Sequence, residues 1–245
     1  MGWRFLVPNA FTAANLGLAL TSIGLSLEGH LNLAAWLIIW SALLDKADGA
    51  AARLLKASSD FGVQFDSLAD LIAFGLAPAV LIYAFGRRAW GVAGGSPLWW
   101  VLVACCGLYA LLAAVRLARF NVSAVARPGR TWFTGIPSTL CGGIVASLAL
   151  IADRHGLPLE VVRLFPLVLV LLALGMVSSL PLPKLVRRKN RVINVIQWSN
   201  VLVAYGCGFA MVLPEYLLFI SGVYVLVGVA YGLLRGTGEE AAPAA

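Results

Sequence analysis

The 245-residue chain is 61% hydrophobic and only 12% charged, with a mean hydropathy of +0.91, which excludes a soluble globular domain. A net charge of +7 does not indicate nucleic acid here, because the cations fall mostly in short connections between apolar runs, where they set orientation and meet anionic membrane lipids. The four cysteines have neither metal-ligand nor disulfide spacing: Cys105 and Cys106 adjoin, Cys141 and Cys207 are isolated in apolar runs, and all read as small buried residues.

At about 20 apolar residues per crossing, the sequence predicts roughly eight transmembrane helices, near 11–27, 31–55, 63–86, 97–121, 135–153, 159–180, 197–213 and 214–234. The expected fold is all-α and polytopic, a single integral membrane domain over residues 1–245 with a short disordered tail at 236–245. The first span follows a basic start, Met1 to Arg4, as a secretory signal would. Pro8, Asn9, Thr12 and Asn15 interrupt it and no small-x-small cleavage site precedes Glu28, so it is expected to be retained. His30 and His155 fall beside Gly29 and Gly156 and read as loop residues.

Alternating the spans from an internal N-terminus places Arg4, Arg53, Lys56, Arg127, Arg130, the Lys184–Arg191 run and Arg235 on one side. Arg87, Arg88, Arg154 and Arg163 fall on the other. This asymmetry predicts cytoplasmic termini, in a multi-pass protein of the inner (plasma) membrane with its active site facing the cytoplasm. Trp3, Trp90, Trp99, Trp100, Trp132 and Trp198 lie near span ends, where an interfacial belt places them.

The chemistry concentrates between the second and third spans. Asp45 and Asp48 are three apart and Asp66 and Asp70 four apart, so each pair projects from one helix face. The polar stretch holding Lys56, Ser58, Ser59 and Asp60 reads as a turn, making the two helices antiparallel neighbours. Four carboxylates meeting in a medium of low dielectric repel one another unless cations neutralise them. Oxygen-only ligation selects Mg²⁺ or Mn²⁺ and also admits Ca²⁺. Two such ions would cancel the four charges and could hold a diphosphate, with Arg53 and Lys56 adding positive charge. Gly49, Ala50, Ala51, Ala52 and Gly62 leave one side of each helix without bulk where a ligand could approach. Two other readings stand beside this one: an intramembrane salt-bridge network with Lys46, Arg53 and Lys56, and a divalent-cation transport site.

The string DKADGAAAR (Asp45 to Arg53), eight intervening residues and GVQFDSLAD (Gly62 to Asp70) resemble the signature of the CDP-alcohol phosphotransferases at every fixed position. FGVQFDSLADLIAFGLAP (Phe61 to Pro78), PNAFTAANL (from Pro8), RLARFN (Arg116 to Asn121) and FTGIPS (Phe133 to Ser138) are similar to the branch formed by bacterial membrane-integral phosphatidylserine synthases. The resemblance covers roughly residues 6–140. It implies transfer from CDP-diacylglycerol to L-serine with release of CMP, and a homodimer. It also implies that Asp45, Asp48, Asp66 and Asp70 ligate two divalent metals, that Asp70 takes the proton of the acceptor hydroxyl, and that Gly49, Ala52, Arg53 and Gly62 line the CDP site. Inositol phosphate, glycerol phosphate or choline are the alternative acceptors.

The remaining polar residues take roles around that chemistry. Arg116, Arg119 and Asn121 end the fourth span at the depth of the acids, where an arginine fork suits the carboxylate of serine; positive-inside anchoring explains the arginines equally well. Asn9 and Thr12 are candidates for the nucleotide or its phosphates, or for helix capping. Lys184, Arg187, Arg188 and Arg191 read as contacts to anionic headgroups or to the phosphate of the lipid substrate.

Overall fold

A computed structural model describes residues 3–55, 59–126, 132–185 and 191–235. The helices are α1 (Trp3–Glu28), α2 (Leu31–Leu55), α3 (Asp60–Asp70), α4 (Ala77–Trp90), α5 (Pro97–Ala126), α6 (Ser138–His155), α7 (Leu159–Val162), α8 (Phe165–Val177), α9 (Arg191–Phe209) and α10 (Pro214–Arg235). A π-helical turn, Leu71–Leu76, joins α3 to α4 without a break in the rod. Two three-residue strands, β1 (Trp132–Thr134) and β2 (Pro181–Pro183), pair antiparallel with Phe133 opposite Leu182. The expected all-α polytopic membrane architecture is thereby met.

Six of the described segments are long and apolar enough to cross a bilayer: Val7–Glu28, Asp60–Trp90, Pro97–Ser123, Leu159–Val177, Arg191–Phe209 and Pro214–Leu234. The other two expected spans are helices as well. α2 carries Asp45, Lys46, Asp48 and Arg53 in its last turns, and α6 ends in Asp153, Arg154 and His155; these charges lower their mean hydropathy. Boundaries differ from expectation in two places. The sixth span is divided before Pro166 into α7 and α8, and the seventh helix begins at Arg191 rather than near 197.

The bundle is built on an α1–α2 hairpin turning at Gly29, with α6 packed on α2, α8 on α5 and α10 on α6. Large apolar side chains fill the centre, among them Ile38, Phe74, Leu81, Leu102, Leu150 and Leu169. Alanines such as Ala34, Ala69, Ala73, Ala113 and Ala146 are also buried; they allow the close helix approach that replaces the hydrophobic drive inside a bilayer. Leucines face outward too, Leu202 and Leu226 each with 73% of their surface exposed, as helices solvated by lipid tails require. All four cysteines are unbridged; Cys106, Cys141 and Cys207 are buried as expected, whereas Cys105 is only partly buried.

Polar contacts close the two ends differently. At one end Asn32 Nδ2 donates to Asp153 Oδ2 (2.8 Å), while Arg154 and His155 reach Glu215 at 3.3 and 2.7 Å. Those contacts tie α2, α6 and α10. The opposite end gathers the C-terminal turns of α2 and α5, the N-terminal turns of α3 and α6, and the β1–β2 ribbon. Asp45, Asp66, Asp70, Arg116, Arg119 and Asn121 belong to that end.

Candidate active site

α3 starts cleanly. Ser59 is extended (φ −138°, ψ 152°) and its Oγ accepts from the backbone N–H of Gly62 at 3.1 Å, which satisfies one of the open amides of the first turn. Asp60 in that turn complements the helix dipole. From this start Asp66 and Asp70 fall one turn apart on a single face. Asp45 approaches them from α2, and one carboxylate oxygen from each of Asp45, Asp66 and Asp70 lies within 4.8 Å of the other two. The helical spacing read from the sequence therefore produces a real convergence.

The three acids differ in their surroundings. Asp45 Oδ2 faces Lys46 Nζ at 2.8 Å and accepts a long hydrogen bond from Thr139 Oγ1 at 3.4 Å. Asp70 is buried, and its Oδ1 has no hydrogen-bond partner among the described residues. A buried carboxylate oxygen is costly to leave unsatisfied, and carboxylate oxygens at this mutual distance suit a hard divalent cation held at about 2.0 to 2.6 Å. The donor set thus fits the ion that the acids suggested. Asp48 lies on α2 between Asp45 and Gly49, but its side chain is outside the described residues, as are those of Ala52 and Arg53 and the whole of Lys56.

Gly62 has a visible reason. A Cβ there would stand 3.2 Å from Ser59 Oγ and 3.3 Å from Asn9 Oδ1, so glycine lets α1 bring Asn9 against the start of α3. Thr12, buried one turn on, donates to the carbonyl of Pro8 at 3.2 Å. Asn15 is fully buried beneath it, with neither side-chain polar atom bonded among the described residues, and its carbonyl accepts from Ser41 Oγ at 3.4 Å.

The three polar residues at the end of α5 separate into distinct situations. Arg116 is 7% exposed; its Nη1 donates to Ser138 Oγ at 2.7 Å, and its guanidinium lies 5.3 Å from the Phe120 ring centroid. Arg119 donates to the carbonyls of Val177 (2.7 Å), Thr134 (3.0 Å), Ser178 (3.0 Å) and Met176 (3.4 Å), clamping α5 to the ribbon and the end of α8. Asn121 Nδ2 donates to Ser67 Oγ at 2.8 Å. Lys184 sits over Phe133 and Phe120, 5.2 and 6.0 Å from their centroids, whereas Arg191 is exposed at the start of α9. Arg187 and Arg188 lie outside the described residues.

Ser138 and Thr139 belong to the site although the sequence reading assigned them no role. They open α6 directly after Pro137. The signal for Ser138 was the FTGIPS segment, used only as a mark of resemblance; Thr139 lies just beyond it. Gly135 within it holds φ +79° and a Cβ there would collide with the carbonyl of Met176; only glycine lets the chain pass from β1 to α6 at that point.

This geometry has counterparts among known proteins. A family model described as CDP-alcohol phosphatidyltransferase matches residues 5–179, from α1 through the end of α8. The chain belongs to the CDP-alcohol phosphatidyltransferase family. It is 33% identical over 236 residues, 94% of this chain and 91% of the relative, to the CDP-diacylglycerol–serine O-phosphatidyltransferase of Helicobacter pylori strain 26695. It is 32% identical over 182 residues, 73% of this chain and 70% of the relative, to the archaetidylserine synthase of Methanothermobacter thermautotrophicus. A third relative, the serine O-phosphatidyltransferase of Mycobacterium leprae, is 37% identical over 151 residues, 60% of this chain and 47% of that protein. The family match contains all four aspartates, Arg116 to Asn121 and Ser138.

Proposed function

We propose that the protein is a phosphatidylserine synthase, transferring the phosphatidyl group of CDP-diacylglycerol to the hydroxyl of L-serine with release of CMP. The observation that carries this reading is the meeting of Asp45, Asp66 and Asp70 within 4.8 Å beside a buried arginine. Relatives named for serine transfer to two different lipid backbones supply the acceptor. Asp45, Asp48, Asp66 and Asp70 would hold two divalent cations, Mg²⁺ or Mn²⁺, which would offset the carboxylate charge, ligate the diphosphate and stabilise the departing CMP.

The chain's own residues account for the remaining requirements. Gly49, Ala52 and Gly62 leave room for the nucleotide, with Arg53, Asn9 and Thr12 as its polar neighbours. Arg116 offers spare donors to the carboxylate of serine, and Ser138 holds its guanidinium in place. Arg119 and Asn121 hold the frame around that pocket. Asp70 accepts the proton of the serine hydroxyl as its oxygen attacks the phosphorus on the diacylglycerol side. The bond from that phosphorus to the bridging oxygen breaks, and CMP departs without a covalent enzyme intermediate. The excess of Lys and Arg in the connections on one side of the sequence supports a site facing the cytoplasm at the inner membrane, with Lys184, Arg187, Arg188 and Arg191 as contacts to anionic headgroups. The functional unit is a homodimer.

The test is CMP release by purified protein given CDP-diacylglycerol, Mn²⁺ or Mg²⁺, and each candidate alcohol in turn. Release with serine, lost in Asp70→Asn, is expected. Release only with inositol phosphate, glycerol phosphate or choline would replace the acceptor. No release with any alcohol, together with metal flux into vesicles, would overturn the enzyme reading.

A further inference from the structure

The rod from Asp60 to Trp90 carries its acids and its core residues on one side only because of the wide turn at Leu71–Leu76. In an unbroken α-helix, at about 100° per residue, the side formed by Leu81, Ile82 and Phe85 would stand about 100° around the axis from the side formed by Asp66 and Asp70. A π-helical turn absorbs one extra residue and cancels that rotation. The backbone N–H of Ala77 accordingly bonds the carbonyl of Ile72, five residues back. Leu81, Ile82 and Phe85 are buried in the core, while Asp66 and Asp70 meet Asp45.

The sequence explains where the turn occurs. The α-helical donor to the carbonyl of Phe74 would be residue 78, which is Pro78 and has no N–H; its ring also crowds that carbonyl. The carbonyl is met from another helix: Tyr109 on α5, fully buried, donates its phenolic O–H to Phe74 O at 3.0 Å. The turn is also tightly enclosed. A Cβ on Gly75 would stand 3.1 Å from Ala113 of α5, and one on Gly142 of α6 would stand 3.0 Å from the Phe74 ring.

We propose that Tyr109 is a positioning residue for the carboxylate site: its hydroxyl holds the Pro78-dependent wide turn in the register at which Asp66 and Asp70 face Asp45. Tyr109 touches neither substrate nor ion. The inference rests on the reading of those acids as a divalent-cation site and extends it to a residue outside the family signature.

Mn²⁺ binding to the purified protein in detergent, without substrate, tests it through the free-ion electron paramagnetic resonance signal, alongside the thermal unfolding midpoint. Tyr109→Phe removes one oxygen and should weaken Mn²⁺ binding about five- to tenfold, the scale of one hydrogen bond, with the midpoint little changed. Leu108→Ala, a partly lipid-facing neighbour, should leave Mn²⁺ binding unchanged. Pro78→Ala restores an N–H beneath Phe74 O, so Tyr109→Phe should cost less on that background; this non-additivity is the signature of the proposed coupling. Unchanged Mn²⁺ affinity in Tyr109→Phe, with or without a lowered midpoint, would overturn the positioning role and leave the metal site standing. Equal effects of Tyr109→Phe on both backgrounds would do the same. Failure of the unsubstituted protein to bind Mn²⁺ would overturn both readings.

Discussion

Asn121 donates to Ser67 across the α5–α3 contact at 2.8 Å, one residue beyond Asp66. Ser67 Oγ in turn donates to the carbonyl of Val63 at 3.0 Å, so the amide is the outer link of a short chain that fixes the helix bearing two of the acids. Asn121→Ala and Ser67→Ala break the same link. Each should lower kcat/KM for CMP release about tenfold, and the double variant should be no worse than either single one. Additive losses would show that Asn121 acts on something other than α3.

The two buried-end arginines should fail in different ways. Arg116 has one hydrogen-bond partner among the described residues, Ser138, and the rest of its fork is free for an anion. Arg116→Lys keeps charge but loses the fork, and should raise KM for serine about tenfold or more with a small change in unfolding midpoint. Ser138→Ala should shift the same parameter by less. Arg119, whose fork is filled by four backbone carbonyls, should behave oppositely: Arg119→Ala removes several charge-assisted bonds, each worth about 1.5 to 3 kcal/mol, and should lower the unfolding midpoint first. Steady-state kinetics with varied serine, paired with thermal unfolding in detergent, separates the two.

Much of this site was legible because its parts are local. The pairs Asp45/Asp48 and Asp66/Asp70 each advertised a shared helix face by spacing alone, and hydropathy located the long helices, six of whose described segments are apolar enough to cross a bilayer. What escaped depends on contacts between distant segments. Arg116 and Arg119 are three residues apart and chemically identical, yet one faces a serine hydroxyl and the other a ring of carbonyls from β1 and α8; nothing in RLARFN distinguishes them. Ser138 was visible only as the last letter of a string and Thr139 not at all, since their partners are 22 and 94 residues away. The wide turn had a sequence signal in Pro78, eight residues after Asp70, but without Tyr109 there was no reason to expect a bulge rather than a kink.

The ribbon offers a stability prediction. Gly135 combines φ +79° with a backbone carbonyl in the space a Cβ would take. Gly135→Ala should therefore destabilise by about 1 to 3 kcal/mol and reduce the yield of folded protein. Gly62→Ala meets only side-chain atoms, Ser59 Oγ and Asn9 Oδ1, that can move by a few tenths of an ångström. That variant should fold normally and raise KM for CDP-diacylglycerol several-fold. Equal unfolding midpoints for the two variants would contradict this distinction.

Lys46 presents a test with a definite sign. Its ammonium stands 2.8 Å from Asp45 Oδ2 and is 62% exposed, so it competes with a cation for that oxygen while being screened by water. An exposed pair of this kind is worth about 0.2 to 1 kcal/mol. Lys46→Gln should then tighten Mn²⁺ binding by about two- to fivefold, and raising the salt concentration should narrow the difference between variant and parent. If Lys46 acted instead by holding a substrate phosphate, the same substitution would leave Mn²⁺ affinity unchanged in the absence of lipid and raise KM for CDP-diacylglycerol. Measuring Mn²⁺ binding before substrate is added decides between the two roles.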